Sequence, residues 1–244
     1  MKIAAISDIH GNIAALDAVL RDIAKHSIDQ IVNLGDICSG SLFPRETADR
    51  LIPLEFPTIR GNHERQVLTL PLDRMGPSDR YAAQTLTPAQ LAWFDSLPQT
   101  IRLNEDILLV HGTPNSDLDY LLETVTPEGL RRATQAEIKD RAGNCDARVI
   151  LCGHTHLARV ERLHDGRLIV NPGSVGLPAY TDDHPYPHSV EAGSPQARYA
   201  IVSDNGGDWS AEIHCVDYDW EQAACVALSN GRQEWAIALR TGRN

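Results

Sequence analysis

Hydrophobic and polar positions along the chain follow two periods, and their order predicts an α/β protein. Short runs rich in apolar residues, typical of strands, lie at residues 2–6, 30–34, 54–59 and 148–151, and the last of them is typical of a strand buried on both faces. After the first run, apolar residues recur at helical spacing from Ile13 to Ile23, and a polar helix is expected near 45–51. Strand, loop and helix therefore alternate through the first part of the chain.

Later segments depart from this alternation. Paired apolar runs predict three hairpins, at residues 101–110, 159–170 and 198–216. Helices are expected from Thr87-Pro88, from Thr126-Pro127 to about Lys139, and from about 219 to 228. Residues 178–197, which contain four prolines, predict a long irregular loop, and we find no chemistry in the tail beyond the last helix.

Neither an internal repeat nor a long linker divides the chain. We therefore expect one domain over residues 1–244, with cap-like elaborations near 64–98 and 112–126 and the loop at 178–197. Substrate selectivity is expected to depend on these three segments.

Composition and charge narrow the classes of function. The net charge of -11 disfavours a long nucleic acid as partner, because that affinity comes from clustered Lys and Arg. No signal-like segment or membrane span is recognisable, and the five cysteines include no C-x-x-C pair, so we expect a cytoplasmic protein with reduced, structural cysteines. A small anionic substrate is compatible if a metal ion supplies local positive charge.

Candidate chemistry follows the predicted strands, at the point where each one ends. Side chains able to bind a metal occur there at Asp8, His10, Asp36, Asn62, His63, His111, His154 and His156. Each alone is a common turn, cap or core residue. The carboxyl ends of parallel strands meet at one edge of a sheet, so together these residues predict a metal site.

The order of these residues matches five motifs. D-x-H at Asp8, G-D at Asp36, G-N-H-E at Asn62, H-G at His111 and G-H-T-H at His154 resemble those of the calcineurin-like metallophosphoesterase superfamily. The stretch from Asp8 to Asn12 and the turn Asn171-Pro172-Gly173-Ser174 resemble its small bacterial and archaeal phosphodiesterase branch.

This resemblance implies a double β-sandwich flanked by helices, with two divalent metal ions. It implies that Asp8, His10 and His156 bind one ion and that Asn62, His111 and His154 bind the other. Asp36 would bridge them, a bridging hydroxide would attack phosphorus in line, and His63 would assist the leaving group. In addition, the Gly11-Asn12 entry into the first helix is expected to offer free backbone N–H groups to an anion. Asn12 at this entry and His63 beside the leaving group are the predicted substrate-binding residues.

The residue types fit this chemistry without the family. Two divalent ions bring four positive charges and the carboxylates of Asp8 and Asp36 return two negative ones, which leaves about +2 for an anionic phosphoryl group. Mixed imidazole and oxygen ligands favour Mn, Fe, Co, Ni or Zn over Ca or Mg, and of these we expect manganese.

The sequence predicts a phosphodiesterase for a small soluble ester, with nucleotides among the candidates. A phosphomonoesterase, a protein phosphatase and a catalytically silent metal-binding scaffold are the alternatives. Ile37-Cys38-Ser39-Gly40 replaces the Asp-Arg-Gly extension of protein Ser/Thr phosphatases, whereas the stretch from Arg60 to Glu64 resembles their equivalent motif. Whether the chain forms a homo-oligomer is left open.

Overall fold

The computed structural model describes residues 1–244 and contains thirteen strands and eight α-helices. The strands are β1 (Lys2–Ile6), β2 (Gln30–Asn33), β3 (Ile101–Arg102), β4 (Ile107–Leu109), β5 (Glu123–Thr126), β6 (Gly129–Arg132), β7 (Val149–Leu151), β8 (Arg159–Arg162), β9 (Leu168–Asn171), β10 (Ala179–Asp182), β11 (His188–Glu191), β12 (Ala197–Asp204) and β13 (Trp209–Val216). The helices are α1 (Ile13–Ile23), α2 (Pro44–Leu51), α3 (Asn62–Thr69), α4 (Pro77–Thr85), α5 (Pro88–Ser96), α6 (Gln135–Ala142), α7 (Trp220–Ser229) and α8 (Gln233–Thr241).

Two sheets form the centre of the fold. The first has the order β13-β12-β1-β2, with β1 parallel to β2 and antiparallel to β12. The second has the order β3-β4-β7-β9-β8, in which β4, β7 and β9 run parallel. Two separate hairpins, β5-β6 and β10-β11, lie outside these sheets. The predicted strands at 2–6, 30–34 and 148–151 and all three predicted hairpins are present.

The two sheets pack face to face around one apolar layer. Ile3 and Ala5 of β1 lie in this layer with Leu151 of β7. The alternate residues of β1, Ala4 and Ile6, lie in the core between the first sheet and the helices. Both faces of β1 are therefore buried, which is why residues 2–6 form a run rich in apolar residues.

Helices cover the outer faces of both sheets. Leu16 of α1 and Phe94 of α5 pack in the core of the first sheet, and Ile138 of α6 packs with Ile150 of β7 beside the second. This is the predicted double β-sandwich flanked by helices. None of the helices combines the length and the apolar character needed to cross a bilayer.

The strand predicted at 54–59 is wrong. Only Thr58 forms a bridge, to Asn33 of β2, and a short 3-10 turn occupies Ile52–Leu54. Pro57 has no N–H to donate to a strand ladder, so pairing there stops at the hydrogen bonds made by Asn33.

The helix predicted from Thr126-Pro127 begins later than expected. Thr126 ends β5, which pairs with β6. The helix α6 starts after Thr134, where the Thr134 hydroxyl and the Glu137 carboxylate form a capping box. Because Thr134 and Glu137 together satisfy two N–H groups, this pair is the stronger start signal.

Two expectations for the end of the chain also fail. Residues 178–197 are not an irregular loop, because β10 and β11 pair there as an antiparallel hairpin. The tail after α7 is not featureless either, because it forms α8, which packs against α7 and places Trp235 and Leu239 in a shared core.

Candidate metal centre

Four loops converge at the carboxyl ends of β1, β2, β4 and β7. Backbone hydrogen bonds join the loops in pairs. The N–H groups of Asp8 and His10 donate to Gly35 and Asp36 at 3.0 Å, and the Gly153 N–H donates to the His111 carbonyl at 2.8 Å. The predicted ligands are therefore brought to one edge, as the sequence indicated.

The first group of ligands contains Asp8, His10 and His156, whose ligand atoms all lie within 4.8 Å of one another. The Nε2 atom of His156 lies 3.0 Å from Nε2 of His10 and 3.4 Å from Oδ1 of Asp8. All three side chains are buried. This group matches the first predicted metal site residue by residue.

The second group contains Asp36, His111 and His154, with ligand atoms again within 4.8 Å of one another. Nε2 of His111 lies 3.0 Å from Oδ2 of Asp36 and 3.1 Å from Oδ1 of Asn62. The predicted second site, with Asn62 and the shared Asp36, is thus gathered around His111.

The remaining imidazole nitrogens are held by backbone carbonyls. Nδ1 of His10, His111 and His156 donates to the carbonyls of Ser39, Leu34 and Leu177 at 2.7, 2.7 and 2.6 Å, a common way of orienting metal-binding imidazoles. In His154 the two ring nitrogens exchange these roles. Its Nε2 contacts the Leu118 carbonyl at 3.0 Å, which leaves Nδ1 to bind a metal ion.

These hydrogen bonds test whether a metal ion fits. With both Nδ1 atoms protonated, the Nε2 lone pairs of His10 and His156 face each other at 3.0 Å without a proton between them. This repulsion is relieved when a cation accepts both lone pairs. The two groups therefore fit divalent ions that prefer imidazole and carboxylate ligands.

Backbone conformation points to the same residues. Five of the seven predicted ligands, Asp8, His10, Asp36, His154 and His156, have positive φ angles between 51° and 69°. Elsewhere in the chain Glu55 alone among non-glycine residues has a positive φ. Such conformations cost on the order of 1 kcal/mol or more each and cluster at functional sites. Here they turn each ligand out of its strand toward the shared centre.

Burial and neighbouring charge set the protonation of the ligands. Burial lowers the pKa of His10 to about 3 and that of His154 to about 4, so both are neutral at pH 7, as metal binding requires. Burial opposes the charged forms of Asp36 and His111 too. Their mutual attraction outweighs it, so the pKa of Asp36 falls well below its usual range and that of His111 rises to about 10. An ion binding His111 must displace this proton.

Two glycines allow the loops to approach the ligands. A Cβ atom on Gly61 would lie 2.2 Å from Oδ1 of Asp36, and one on Gly153 would lie 2.0 Å from Oγ of Ser7 and 2.9 Å from Oδ2 of Asp8. Both motif glycines are thus required by close packing against a ligand or its neighbour.

His63 lies beside the centre without belonging to either group. Its N–H donates to Oδ1 of Asp36 at 3.0 Å, and its Nδ1 lies 2.6 Å from Oδ1 of the buried Asp79. The His63 ring is 5.4 Å from that of His10. Burial would lower the pKa of His63, but the charges of Asp36 and Asp79 raise it to about 9. The imidazole is oriented by Asp79 and able to carry a proton.

Sequence reasoning missed the role of Glu64. Its buried carboxylate accepts hydrogen bonds from the N–H groups of Asp36, Ile37 and Gly61 at 2.8 to 2.9 Å. The carboxylate therefore fixes the loop that carries Asp36. From the sequence, Glu64 is only the last residue of the G-N-H-E motif.

The predicted anion site at Asn12 is not supported by the structure. The Asn12 side chain is buried, caps α1 by accepting from Ala15, and donates to the Gly176 carbonyl and the Tyr218 hydroxyl. The N–H groups of Gly11 and Asn12 donate to backbone carbonyls. Asn12 therefore orders the loop between His10 and α1, and its side chain has no donor left for a substrate.

A cavity of about 500 Å³ opens onto both ligand groups. It is lined by His10, Asp36, Asn62, His63, His154 and His156, and each of the three segments expected to rim the site contributes. Those contributions are Gln66 and Ser78, Leu118, and Tyr180 with Asp182. The tail completes the wall with Arg232, Glu234, Trp235, Ile237 and Asn244. No local signal marks these five residues, because they follow the last motif by more than fifty positions.

The double β-sandwich thus gathers Asp and His side chains able to bind metal ions at the carboxyl ends of its strands, a set suited to metal-assisted hydrolysis. The chain belongs to the calcineurin-like phosphoesterase superfamily, whose domain profile matches residues 1–190. It is therefore a hydrolase of phosphoester bonds, and the predicted family, fold class and enzyme class are confirmed.

Similar proteins agree with this assignment. The chain is 28% identical to an uncharacterized protein, MJ0912, of Methanocaldococcus jannaschii, over 96% of this chain and 94% of that one. The crystal structure of a metallophosphoesterase from Sphaerobacter thermophilus covers 99% of both chains, with 26% identity and a TM-score of 0.74. The crystal structure of a putative diadenosine tetraphosphatase shares the fold at 17% identity, with a TM-score of 0.52 over 87% of this chain and 93% of that one.

Proposed function

We propose that this protein is a phosphodiesterase that uses two divalent metal ions to hydrolyse a small soluble phosphoester. The observation that carries the proposal is that two groups of metal-competent ligands open onto one cavity, with the proton-bearing His63 beside them. Nucleotide esters are the substrate class we favour, and manganese is the ion we favour.

Asp8, His10 and His156 would hold one ion, Asn62, His111 and His154 the other, and Asp36 would contact both. When bound, such ions lower the pKa of water and neutralise negative charge on a phosphoryl group. The protein supplies two carboxylates and otherwise neutral ligands, so the centre keeps about two positive charges for an anionic substrate.

His63 is proposed to donate a proton to the departing oxygen. A phosphodiester with an ordinary alcohol releases a basic alkoxide, and general acid catalysis is worth about 10² to 10⁴ in rate for such steps. The contact with Asp79 supports this role because it orients the ring and leaves Nε2 to face the reaction. Metal ions beside Asp36 would lower the pKa of His63 from about 9 toward neutrality, where an acid works best.

Cavity size favours a small ester over a protein substrate. The cavity of about 500 Å³ is lined by residues of β10 and α8 as well as by the ligands. This volume is in the range of small-molecule sites. A phosphorylated loop of a folded protein would have to displace these walls, so a protein phosphatase is the weaker alternative.

Hydrolysis of matched esters tests the proposal. Metal-stripped protein is loaded with Mn²⁺, or separately with Ni²⁺ or Zn²⁺, and is given bis(4-nitrophenyl) phosphate or 4-nitrophenyl phosphate. We expect metal-dependent turnover with a larger kcat/KM for the diester. A preference for the monoester would indicate a phosphatase, and no turnover with two ions bound would indicate a scaffold.

An Asp79→Asn variant should retain the orientation of His63 and lose the charge that holds its proton. We expect both metal ions to be retained and turnover of an unactivated diester to fall about tenfold. Because the carboxylate raises the pKa of His63, its removal should move the alkaline limb of the pH profile to lower pH. The pH dependence of kcat checks this, and an unmoved limb would contradict the role of Asp79.

A further inference from the structure

The cavity lining contains a single permanent cation. Among the 19 residues that line the cavity, Arg232 is the only Lys or Arg. The whole chain carries a net charge of -11, so this guanidinium is an exception within an acidic protein. Arg232 also lies outside residues 1–190, the part that matches the superfamily domain. The match to the superfamily domain therefore gives this residue no role.

The guanidinium of Arg232 is held in place by three contacts. It stacks on the Trp235 ring with Cζ 5.5 Å from the centroid, its Nε donates to Glu234 at 2.5 Å, and its Nη1 donates to Oγ of Ser78 at 3.2 Å. The side chain is 19% exposed, whereas the Glu234 side chain is 65% exposed. The cation is thus mostly enclosed, while its carboxylate partner is largely in solvent.

Three of the five N–H groups of Arg232 have no protein partner. Such a fork matches the oxygens of a phosphate or carboxylate in two parallel hydrogen bonds. A structural arginine of similar burial in this chain, Arg141, instead spends both of its terminal nitrogens on backbone and threonine oxygens. Arg232 is therefore oriented and still able to bind an anion.

The position of Arg232 assigns it to one side of the centre. Ser78, which anchors Nη1, precedes Asp79, which orients His63, and both belong to the first turn of α4. The Trp235 ring packs edge-on against the His10 ring, with 6.1 Å between the two ring centroids. The His10 ring in turn lies beside the ring of His63. Arg232 and the proposed proton donor thus share the side on which the leaving group departs.

We infer that Arg232 binds the leaving group, and that the preferred substrate is a phosphodiester whose leaving alcohol carries a second phosphate. The inference rests on the proposed phosphodiesterase function. In the reaction, the oxygen of a water molecule bonds to phosphorus and that water releases one proton to solvent. The bond from phosphorus to the leaving alcohol breaks, and the leaving oxygen takes a proton from His63. Arg232 positions the leaving alcohol through its remote phosphate.

Dinucleotides that differ by one phosphate test this inference. The substrates are a deoxydinucleoside monophosphate and the same molecule with an extra phosphate at its 5′ or its 3′ end, all hydrolysed by the Mn²⁺-loaded protein. We expect the KM of one phosphorylated form to be about tenfold lower than that of the unmodified dinucleotide. Chromatography of the products identifies which nucleoside departs, and it should be the one that carries the extra phosphate.

Variants of Arg232 separate binding of the remote phosphate from a structural role. Arg232→Gln should raise the KM of the preferred form about tenfold and change that of the unmodified dinucleotide less than about twofold. Arg232→Lys should restore part of the preference, because an ammonium is a point charge without the fork. Arg240→Gln is the matched control, since Arg240 lies on α8, which Arg232 immediately precedes, and pairs with Glu221 away from the cavity.

Glu234→Gln gives a test that does not remove the arginine. It frees the guanidinium from a competing carboxylate, so the KM of the preferred form should fall about two- to fivefold. Thermal unfolding shows whether Arg232→Gln is folded. If it is not, the KM values of Arg232→Lys and Glu234→Gln test the inference instead.

The outcomes distinguish this inference from the function on which it rests. Hydrolysis of all three dinucleotides with equal KM, or a preference that Arg232→Gln leaves intact, overturns the role of Arg232 and leaves the phosphodiesterase standing. No hydrolysis of any dinucleotide or of bis(4-nitrophenyl) phosphate by protein with two ions bound removes both.

Discussion

Replacing Asp36 by Asn is expected to abolish most activity, with a loss of at least about 10³-fold in kcat/KM. Asn is nearly isosteric but neutral, and Asp36 is the one carboxylate in the group that contains His111 and His154. Losing that charge removes several kcal/mol of metal and transition-state stabilisation, and about 4 kcal/mol corresponds to three decades in rate. Metal content by mass spectrometry should fall below two ions per chain.

The matched control for this variant is Asp95→Asn, an exposed carboxylate on α5 far from the ligands in sequence. It should leave metal content and turnover unchanged. Circular dichroism should show both variants folded, because Glu64 still binds the backbone of the loop that carries position 36. An Asp36→Asn protein with two ions and near-normal turnover would contradict the assignment of Asp36 as a shared ligand.

The second large effect is expected for His63→Ala. We expect turnover of an unactivated dinucleotide to fall about 10² to 10⁴-fold, because the alkoxide must leave without a proton. Both metal ions should remain, since the His63 side chain contacts Asp79 and belongs to neither ligand group. Bis(4-nitrophenyl) phosphate, which releases a stable phenolate, should lose much less activity.

Comparing the two substrates therefore separates proton donation from a general disturbance of the site. His164→Ala, in the exposed turn between β8 and β9, provides a histidine control without an expected effect. Equal losses on both esters would indicate that His63 supports the metal ligands, and no loss on either would remove His63 from the mechanism.

Most of the ligands were predictable from sequence because they follow strands whose burial is encoded locally. Asn62 is the exception, since the segment before it forms only a bridge at Thr58. The run before His154, for example, is Val149 to Leu151, and all three residues are fully buried. Parallel pairing then brings the strand ends to one edge without further information. The positive φ angles of the ligands follow from the same tight turns but leave no signal in the residue types.

The errors occur where tertiary contacts decide the outcome. The β10-β11 hairpin is irregular by composition, and its strand His188–Glu191 is held by contacts such as that between His188 Nε2 and the Tyr120 hydroxyl. Arg232 is the N-cap residue of α8 and Trp235 lies in its first turn, and only the folding of that helix over the cavity gives them a role. The role of Glu64 was hidden because its partners are backbone N–H groups of a distant loop.

We propose that two ions share Asp36 and act together on the phosphoester. The most direct measurement is a titration of metal-stripped protein with Mn²⁺, in which turnover of bis(4-nitrophenyl) phosphate and the electron paramagnetic resonance spectrum are followed at each step. Asp22, His26 and His214 form a third group of metal-competent side chains that does not line the cavity, so His214→Ala protein is used in parallel.

We expect turnover to appear only as the second ion binds, together with the spectrum of an exchange-coupled manganese pair. His214→Ala should give the same titration with two ions per chain. Full turnover at one ion per chain, with the spectrum of isolated manganese throughout, would contradict the account.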